Sequence, residues 1–271
     1  MEDKTLKKNI LITGGSSGIG LALANKYAEL GYDIFLVSRN KEKLSAATNN
    51  LKKNFPSCNI YFFVADVSKE EDIKSAYGQV SNLTKKLDIV ICNAGIMMCG
   101  RFETNKPVDS HKTFEINYWG MHYTAYYFLP LLKATPNSKI AFMSSVAGYT
   151  GLFGYTHYAP AKFAISGLAE CIRMEFMDFG INVSVIYPPD METPMLAYER
   201  ENTLTECKAL SKGAKSITVQ KAATKIAADI EKKKFEIYFN FESRLIRILK
   251  GIVPSVYYRI VDNMIRKSRK K

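Results

Sequence analysis

Tyr158 and Lys162 stand four residues apart in Tyr158-Ala159-Pro160-Ala161-Lys162, a spacing that puts both side chains on one helix face about 6 Å apart along the axis. Such a pair can move a proton. A free phenol, with a pKa of about 10, is a reluctant acid or base near neutrality, and a lysine charge beside it favours the phenolate. Lowering the phenol by about three units takes roughly 4 kcal/mol of preferential phenolate stabilisation, which is within reach in a dry site. Pro160 is compatible with a helix there, since its missing N–H would have had no partner in the first turn. Ser144 and Ser145 end an apolar run, and Ser145 lies 13 residues before Tyr158. A hydroxyl so placed can donate to a carbonyl oxygen as negative charge develops on it. Reduction of a ketone, with hydride added to carbon and a proton to oxygen, is the chemistry these residues suit. Asn117 is a further candidate, ordering a water that returns protons through Lys162, although a lone asparagine in a helix is more often structural.

The hydride source is suggested near the start of the chain. An apolar run over 9–13 leads into Thr13-Gly14-Gly15-Ser16-Ser17-Gly18-Ile19-Gly20 and then into the helical Leu21-Ala22-Leu23-Ala24. Gly14 suits a tight turn, Gly18 a close approach to a pyrophosphate, and Gly20 close packing of helix on strand, with the anion at the helix N-terminus. Glycine turns alone are common. Placed between the first strand and the first helix, this one points to a dinucleotide. An NAD site carries an acidic residue about 20 positions on, but the second apolar run here ends in Ser38-Arg39. The planar fork of Arg39, supported by the Ser38 hydroxyl, suits a 2′-phosphate, so NADPH/NADP+ is the expected cofactor. Its oxidised nicotinamide ring would add to the field of Lys162 on the phenol.

Seven apolar, β-branched runs occur, over 9–13, 33–38, 59–64, 87–92, 139–144, 182–187 and 235–239. Helical patterns separate the first six, for example 18–30, 41–54, 69–85, 108–133 and 160–179. This alternation predicts an α/β fold with a doubly wound parallel sheet of the Rossmann type, about seven strands with helices on both faces. Most runs are apolar on both faces, as a doubly covered sheet requires. Periodicity weakens over about 190–213, just past the sixth strand, where the ligand crevice of such a sheet lies; this is the candidate substrate lid. Residues 1–240 are thus expected to form one domain and 241–271 a basic amphipathic helical extension.

Charge supports that division. Of the formal +12, the stretch from Glu231 to Lys271 carries +8, from 12 Lys/Arg against 4 Asp/Glu, which leaves +4 for the first 230 residues. That argues against a nucleic-acid reading for the main domain, which would need a basic face or a recognised binding motif there. In the extension, Leu245, Leu249, Ile252, Val256 and Ile260 form a helical stripe, joined by Ile246, Val253, Tyr257, Val261 and Met264, with Arg244, Arg247, Lys250, Arg259 and Arg266 to Lys271 supplying charge. The stripe suits either an anionic membrane surface or packing on the domain or a partner subunit. Pro254 would kink or divide the helix in both cases. No run reaches the roughly 18–20 apolar residues of a spanning helix, and no export signal is recognisable at the start. His111, His122 and His157 share no ligand spacing, so no metal is expected. The five cysteines, odd in number and without a C-x-x-C pair, read as reduced thiols. A cytoplasmic location is expected, peripheral on a membrane if the stripe meets lipid rather than protein.

Thr13-Gly14 with Gly18-Ile19-Gly20, Asn93-Ala94-Gly95, Ser144-Ser145 with Ala147-Gly148, and Tyr158 with Lys162 occur in the order seen in short-chain dehydrogenases/reductases, and over roughly residues 9–195 the chain resembles that family. The resemblance implies a catalytic tetrad of Asn117, Ser145, Tyr158 and Lys162. It implies cofactor contacts from Gly14, Ser16, Ser17, Gly18, Ile19 and Gly20, from Ser38 and Arg39, from Asp66 and Val67 near the adenine, from Asn93, Ala94 and Gly95, and from Tyr158, Lys162, Pro188 and Thr193. Thr193 would meet the carboxamide or the pyrophosphate. The aromatic-rich Tyr123, Tyr126, Tyr127 and Phe128 lie on the helix through which members commonly pair, implying a homodimer or homotetramer. Within the family, Gly151-Leu152-Phe153-Gly154-Tyr155, the segment from Ala161 to Glu170, and Tyr187-Pro188-Pro189-Asp190-Met191-Glu192-Thr193-Pro194 look most like the 3-ketodihydrosphingosine reductase branch. That branch reduces a long-chain ketone with NADPH at the cytosolic face of the endoplasmic reticulum in eukaryotes. Another apolar ketone (a steroid, a retinoid or a 3-ketoacyl group) is the enzymatic alternative. A cofactor-binding sensor without turnover is the non-enzymatic one.

Overall fold

The computed structural model of the chain describes residues 7–210 and 216–269. Seven strands, β1 (Asn9–Thr13), β2 (Asp33–Ser38), β3 (Ile60–Val64), β4 (Ile89–Cys92), β5 (Lys139–Met143), β6 (Asn182–Tyr187) and β7 (Glu236–Tyr238), form one parallel sheet in the order β3-β2-β1-β4-β5-β6-β7. Leu11 pairs with Phe35 on one side and Val90 on the other. The order reverses between β1 and β4, and at such a switch point the loops diverge and leave a crevice at the carboxyl edge. Every residue of β4 and β5 is buried, as expected for central strands covered on both faces.

The helices between the strands are α1 (Gly18–Glu29), α2 (Lys41–Asn54), α3 (Glu70–Leu83), α4 (Pro107–Phe114), α5 (Gly120–Lys133) and α6 (Ala159–Glu175). The helix expected over 108–133 is interrupted: Glu115–Trp119 is a π-helical turn between α4 and α5. Such a turn adds a residue to the helical circuit and commonly marks a functional site; here it carries Asn117.

The expected lid is helical. After β6 come α7 (Pro194–Asn202), capped by the Thr193 hydroxyl, and α8 (Thr205–Leu210), while positions 211–213 of the expected lid lie outside the described residues. α9 (Val219–Glu231) leads to β7, and then α10 (Phe241–Ile252) and α11 (Pro254–Ser268) follow. Pro254 opens α11, so the extension is two helices rather than one. They pack on the domain. Tyr149 Oη donates to Ser243 O at 2.8 Å, Lys250 Nζ donates to Tyr149 O at 2.7 Å, and the hydroxyls of Thr150 and Tyr257 are hydrogen-bonded.

Candidate active site

The carboxyl edge of β1, β2 and β4 opens onto a groove of about 340 Å³. The glycine loop, Ser38, Arg39, Asp66, Val67, Asn93, Ala94, Gly95, Tyr158, Lys162, Pro188 and Thr193 all line it, so residues drawn from separate parts of the sequence converge there. Thr13 joins β1 to β4, its hydroxyl accepting from the amides of Asn93 and Ala94 at 3.0 and 3.1 Å. Gly18 adopts φ +54°, a left-handed conformation that side chains disfavour, and Thr193 stands over it. A Cβ on Gly20 would overlap the main-chain oxygen of Gly14, so α1 starts against the loop only because Gly20 has none.

These residues fit a dinucleotide. The N-terminus of α1 has neither a side-chain cap nor an acidic residue in its first turn, which leaves its amides for an anion. Asn93 Nδ2 donates to Thr13 O at 2.9 Å, whereas Asn93 Oδ1 is buried without a protein partner. Ser16 and Ser38 share a hydrogen bond of 3.0 Å beside Arg39. Asp66 holds its own loop by accepting from the amide and hydroxyl of Ser68 at 3.1 and 2.7 Å.

Lys43 also lines the groove, on the first turn of α2 after the cap Asn40. Sequence reasoning missed it, although a signal existed: a cation in the first turn of a helix faces the positive end of the dipole and is better placed with an anion nearby. Arg39 and Lys43 together provide two cations at the end of the groove beside β2.

At the other end, Tyr158 precedes α6 by one residue and Lys162 lies one turn inside it. Lys162 is 3% exposed, its Nζ donates to Met143 O at 2.8 Å, and it lies 5.5 Å from the centroid of the Tyr158 ring. Burial lowers its pKa to about 7. The expectation of a depressed phenol is not met in the protein alone. Burial raises Tyr158, a hydrogen bond with Ser145 pulls it back, and the charges of Glu199 and Asp190 push it up again. The Lys162 charge that was to lower the phenol is itself reduced by the same desolvation.

Ser145 Oγ accepts from Ala147 N at 3.1 Å, which fixes the hydroxyl at the end of β5. Ser144 points elsewhere, donating to Lys162 O at 3.0 Å beneath α6. Asn117 is fully buried; its Oδ1 accepts from Ile96 N at 2.8 Å and its Nδ2 donates to Ile96 O at 2.9 Å. With both ends of its amide engaged by main chain, the side chain fixes the loop after β4 beside Lys162. His157 is bonded to Ser110 through Nδ1.

A second cavity, of about 410 Å³, meets the first at Tyr158, Pro188, Met191, Thr193 and Met195. Its wall is mostly apolar, with Met97, Leu152 and Leu196 from the domain and Ile246, Leu249, Tyr257, Ile260, Val261 and Met264 from α10 and α11. The apolar stripe read in the sequence therefore divides. One part lines this cavity, while Leu245, Ile252, Val253 and Val256 remain 47%, 74%, 38% and 46% exposed.

A model of the family described as short chain dehydrogenase matches residues 8–204. The chain is 35% identical over 254 residues to a 3-ketodihydrosphingosine reductase of Mus musculus, spanning 91% of this chain and 75% of that protein. It is 33% identical over 258 residues to a 3-dehydrosphinganine reductase of Danio rerio, spanning 93% and 78%. Levodione reductase superposes with a TM-score of 0.79 at 23% identity, over 85% of this chain and 95% of that one. The glycine loop, the Tyr158–Lys162 pair and the seven-stranded parallel sheet that joins them are accounted for by one ancestry: the chain belongs to the short-chain dehydrogenase family.

Proposed function

We propose that the protein is an NADPH-dependent reductase that converts 3-ketodihydrosphingosine to dihydrosphingosine. The observation that carries this reading is the apolar cavity of about 410 Å³ that ends at Tyr158. It suits a ketone bearing an alkyl chain, and the relatives named above bear the same substrate in their names. The glycine loop, Arg39 and Lys43 would hold NADPH, with the two cations at its 2′-phosphate, and the bound cofactor would supply the hydride for the carbonyl carbon. Tyr158 gives its phenolic proton to the carbonyl oxygen, while Ser145 donates a hydrogen bond to the same oxygen as the C=O π bond breaks. Lys162, with a pKa of about 7, can exchange a proton near neutrality and so serves to reprotonate Tyr158. Asn117 holds the Ile96 loop beside it.

A second feature bears on location. Phe241, Ile252 and Tyr258 are 77%, 74% and 53% exposed on α10 and α11, and Arg244, Arg259, Arg266 and Lys267 lie on the same helices. No helix among the described residues is long and apolar enough to cross a membrane. The surface fits peripheral contact with anionic lipid, at the cytosolic face of the endoplasmic reticulum in a eukaryotic cell. Trp119 and Tyr126, exposed along the π turn and α5, suit pairing of two copies into a homodimer, or a homotetramer.

The test is NADPH oxidation with detergent-dispersed 3-ketodihydrosphingosine, with NADH and Tyr158→Phe protein as controls. NADPH-selective, Tyr158-dependent turnover is the expected result. Turnover of steroid, retinoid or 3-ketoacyl substrates instead would replace the substrate. Tight NADPH binding with no carbonyl reduced would make the protein a sensor.

A further inference from the structure

The second cavity carries charge of one sign. Asp190, Glu199 and Glu242 line it, and no lysine or arginine is among its described lining residues, although the chain as a whole is +12. Asp190 follows the Pro188-Pro189 turn after β6, and Glu199 lies on α7. Glu199 is held in place by the hydroxyl of Tyr155, whose ring packs edge-on against that of Tyr158 with centroids 6.1 Å apart. The Asp190 carboxylate has no hydrogen-bond partner among the described side chains.

Tyr155 donates to Glu199 and the Arg200 charge reaches both carboxylates, yet burial still raises both above the usual carboxylate range, so the apolar pocket carries a residual desolvation cost. Their field also reaches the Tyr158 phenol and opposes its ionisation. For a neutral ketone this is a poor design, since negative charge must grow on the substrate oxygen and on Tyr158 during the reaction. A substrate with its own positive charge next to the carbonyl removes both penalties, because it pairs with the carboxylates and screens the phenol from them.

We propose that Asp190 and Glu199 form an ammonium-binding subsite beside the reacting carbonyl, so that the cavity selects long-chain ketones with a protonated amine on the neighbouring carbon. Tyr155 positions Glu199 for that contact. The apolar wall from α10 and α11 takes the alkyl chain. The subsite rests on the function proposed above and assigns the recognition of the substrate head to two named residues.

The experiment compares kcat/KM for 3-ketodihydrosphingosine with that for its N-acetyl derivative and for a ketone of equal length lacking the amine. The comparison is made in the wild type, Glu199→Gln and Asp190→Asn. The ratio within one protein is the readout, so partial loss of folded enzyme cancels. The wild type is expected to prefer the amine by on the order of tenfold or more, as one charge-assisted contact provides, and each variant to lose most of that preference. Turnover of the amine-bearing ketone with a preference that neither variant alters overturns the subsite and leaves the proposed function standing. Failure of the wild type to reduce the amine-bearing ketone overturns both.

Discussion

The side-chain nitrogen of Lys162 donates to the main-chain oxygen of Met143 at 2.8 Å, tying the N-terminal part of α6 to the carboxyl end of strand β5. Burial lowers this lysine from 10.5 to about 7. Between those values the unfolded chain binds the proton and the folded protein does not, so this group makes stability rise with pH through that window. Below pH 7 both states are protonated and the cost of a buried charge is fully present. Lys162→Met should remove this contribution. Urea unfolding of both proteins at pH 7 and pH 10 would show the wild type gaining relative to the variant as pH rises, and a constant difference would refute the assigned environment.

Tyr158→Phe keeps the ring and its packing on Tyr155 but removes the proton. A loss in kcat of about 10²–10⁴-fold is expected, the usual range for a positioned general acid, with NADPH affinity retained within a few-fold by fluorescence titration. Retention of most activity would move the acid elsewhere.

Arg39 and Lys43 are exposed residues that line the groove, and their proposed ligand is the 2′-phosphate. Arg39→Asp should raise KM for NADPH by roughly 10–100-fold, corresponding to about 1.5–3 kcal/mol for a charge-assisted contact, with a far smaller effect on NADH. Lys43→Ala should act in the same direction and less strongly. Equal effects on both cofactors would remove the assigned role.

Gly20→Ala places a methyl against the Gly14 main chain and the Asn93 amide. Overpacking of this kind costs about 1–3 kcal/mol, and the displaced loop should weaken NADPH binding as well. A melting curve and a binding titration on the same sample would check both effects; an unchanged melting temperature would mean that the loop yields freely.

For the α10–α11 surface, sedimentation with vesicles containing anionic lipid should fall when Phe241 and Ile252 are both changed to Ser, and should fall with added salt. Activity toward a detergent-dispersed ketone should change much less, because neither residue lines the cavity. Vesicle binding that the double change does not alter would place the membrane contact elsewhere.

The sheet was readable from the sequence because each strand is a short apolar run between turn residues, and the parallel order then follows from the helices between them. The groove residues were readable because they lie on loops at strand ends, where residue type alone reports chemistry. Other features left no local signal. The π turn at Glu115–Trp119 carries Asn117, whose two hydrogen bonds to Ile96 join residues 21 apart in sequence. The cavity is assembled from the segments that follow β4, β5 and β6, from α7 and α8, and from the last two helices, so the side of α10 that would face it was not visible in a pattern of apolar residues.

Pro254 divides the extension into two helices that wall the apolar cavity and follow the last strand of the sheet in sequence. Chain is made from its N-terminus, and domains tend to form in that order. The glycine loop and the Tyr158–Lys162 pair are therefore synthesised well before α10 and α11 supply the wall against which an alkyl chain can pack. A nascent chain that has reached β6 carries most of the residues that line the groove and only a minority of those that line the apolar cavity.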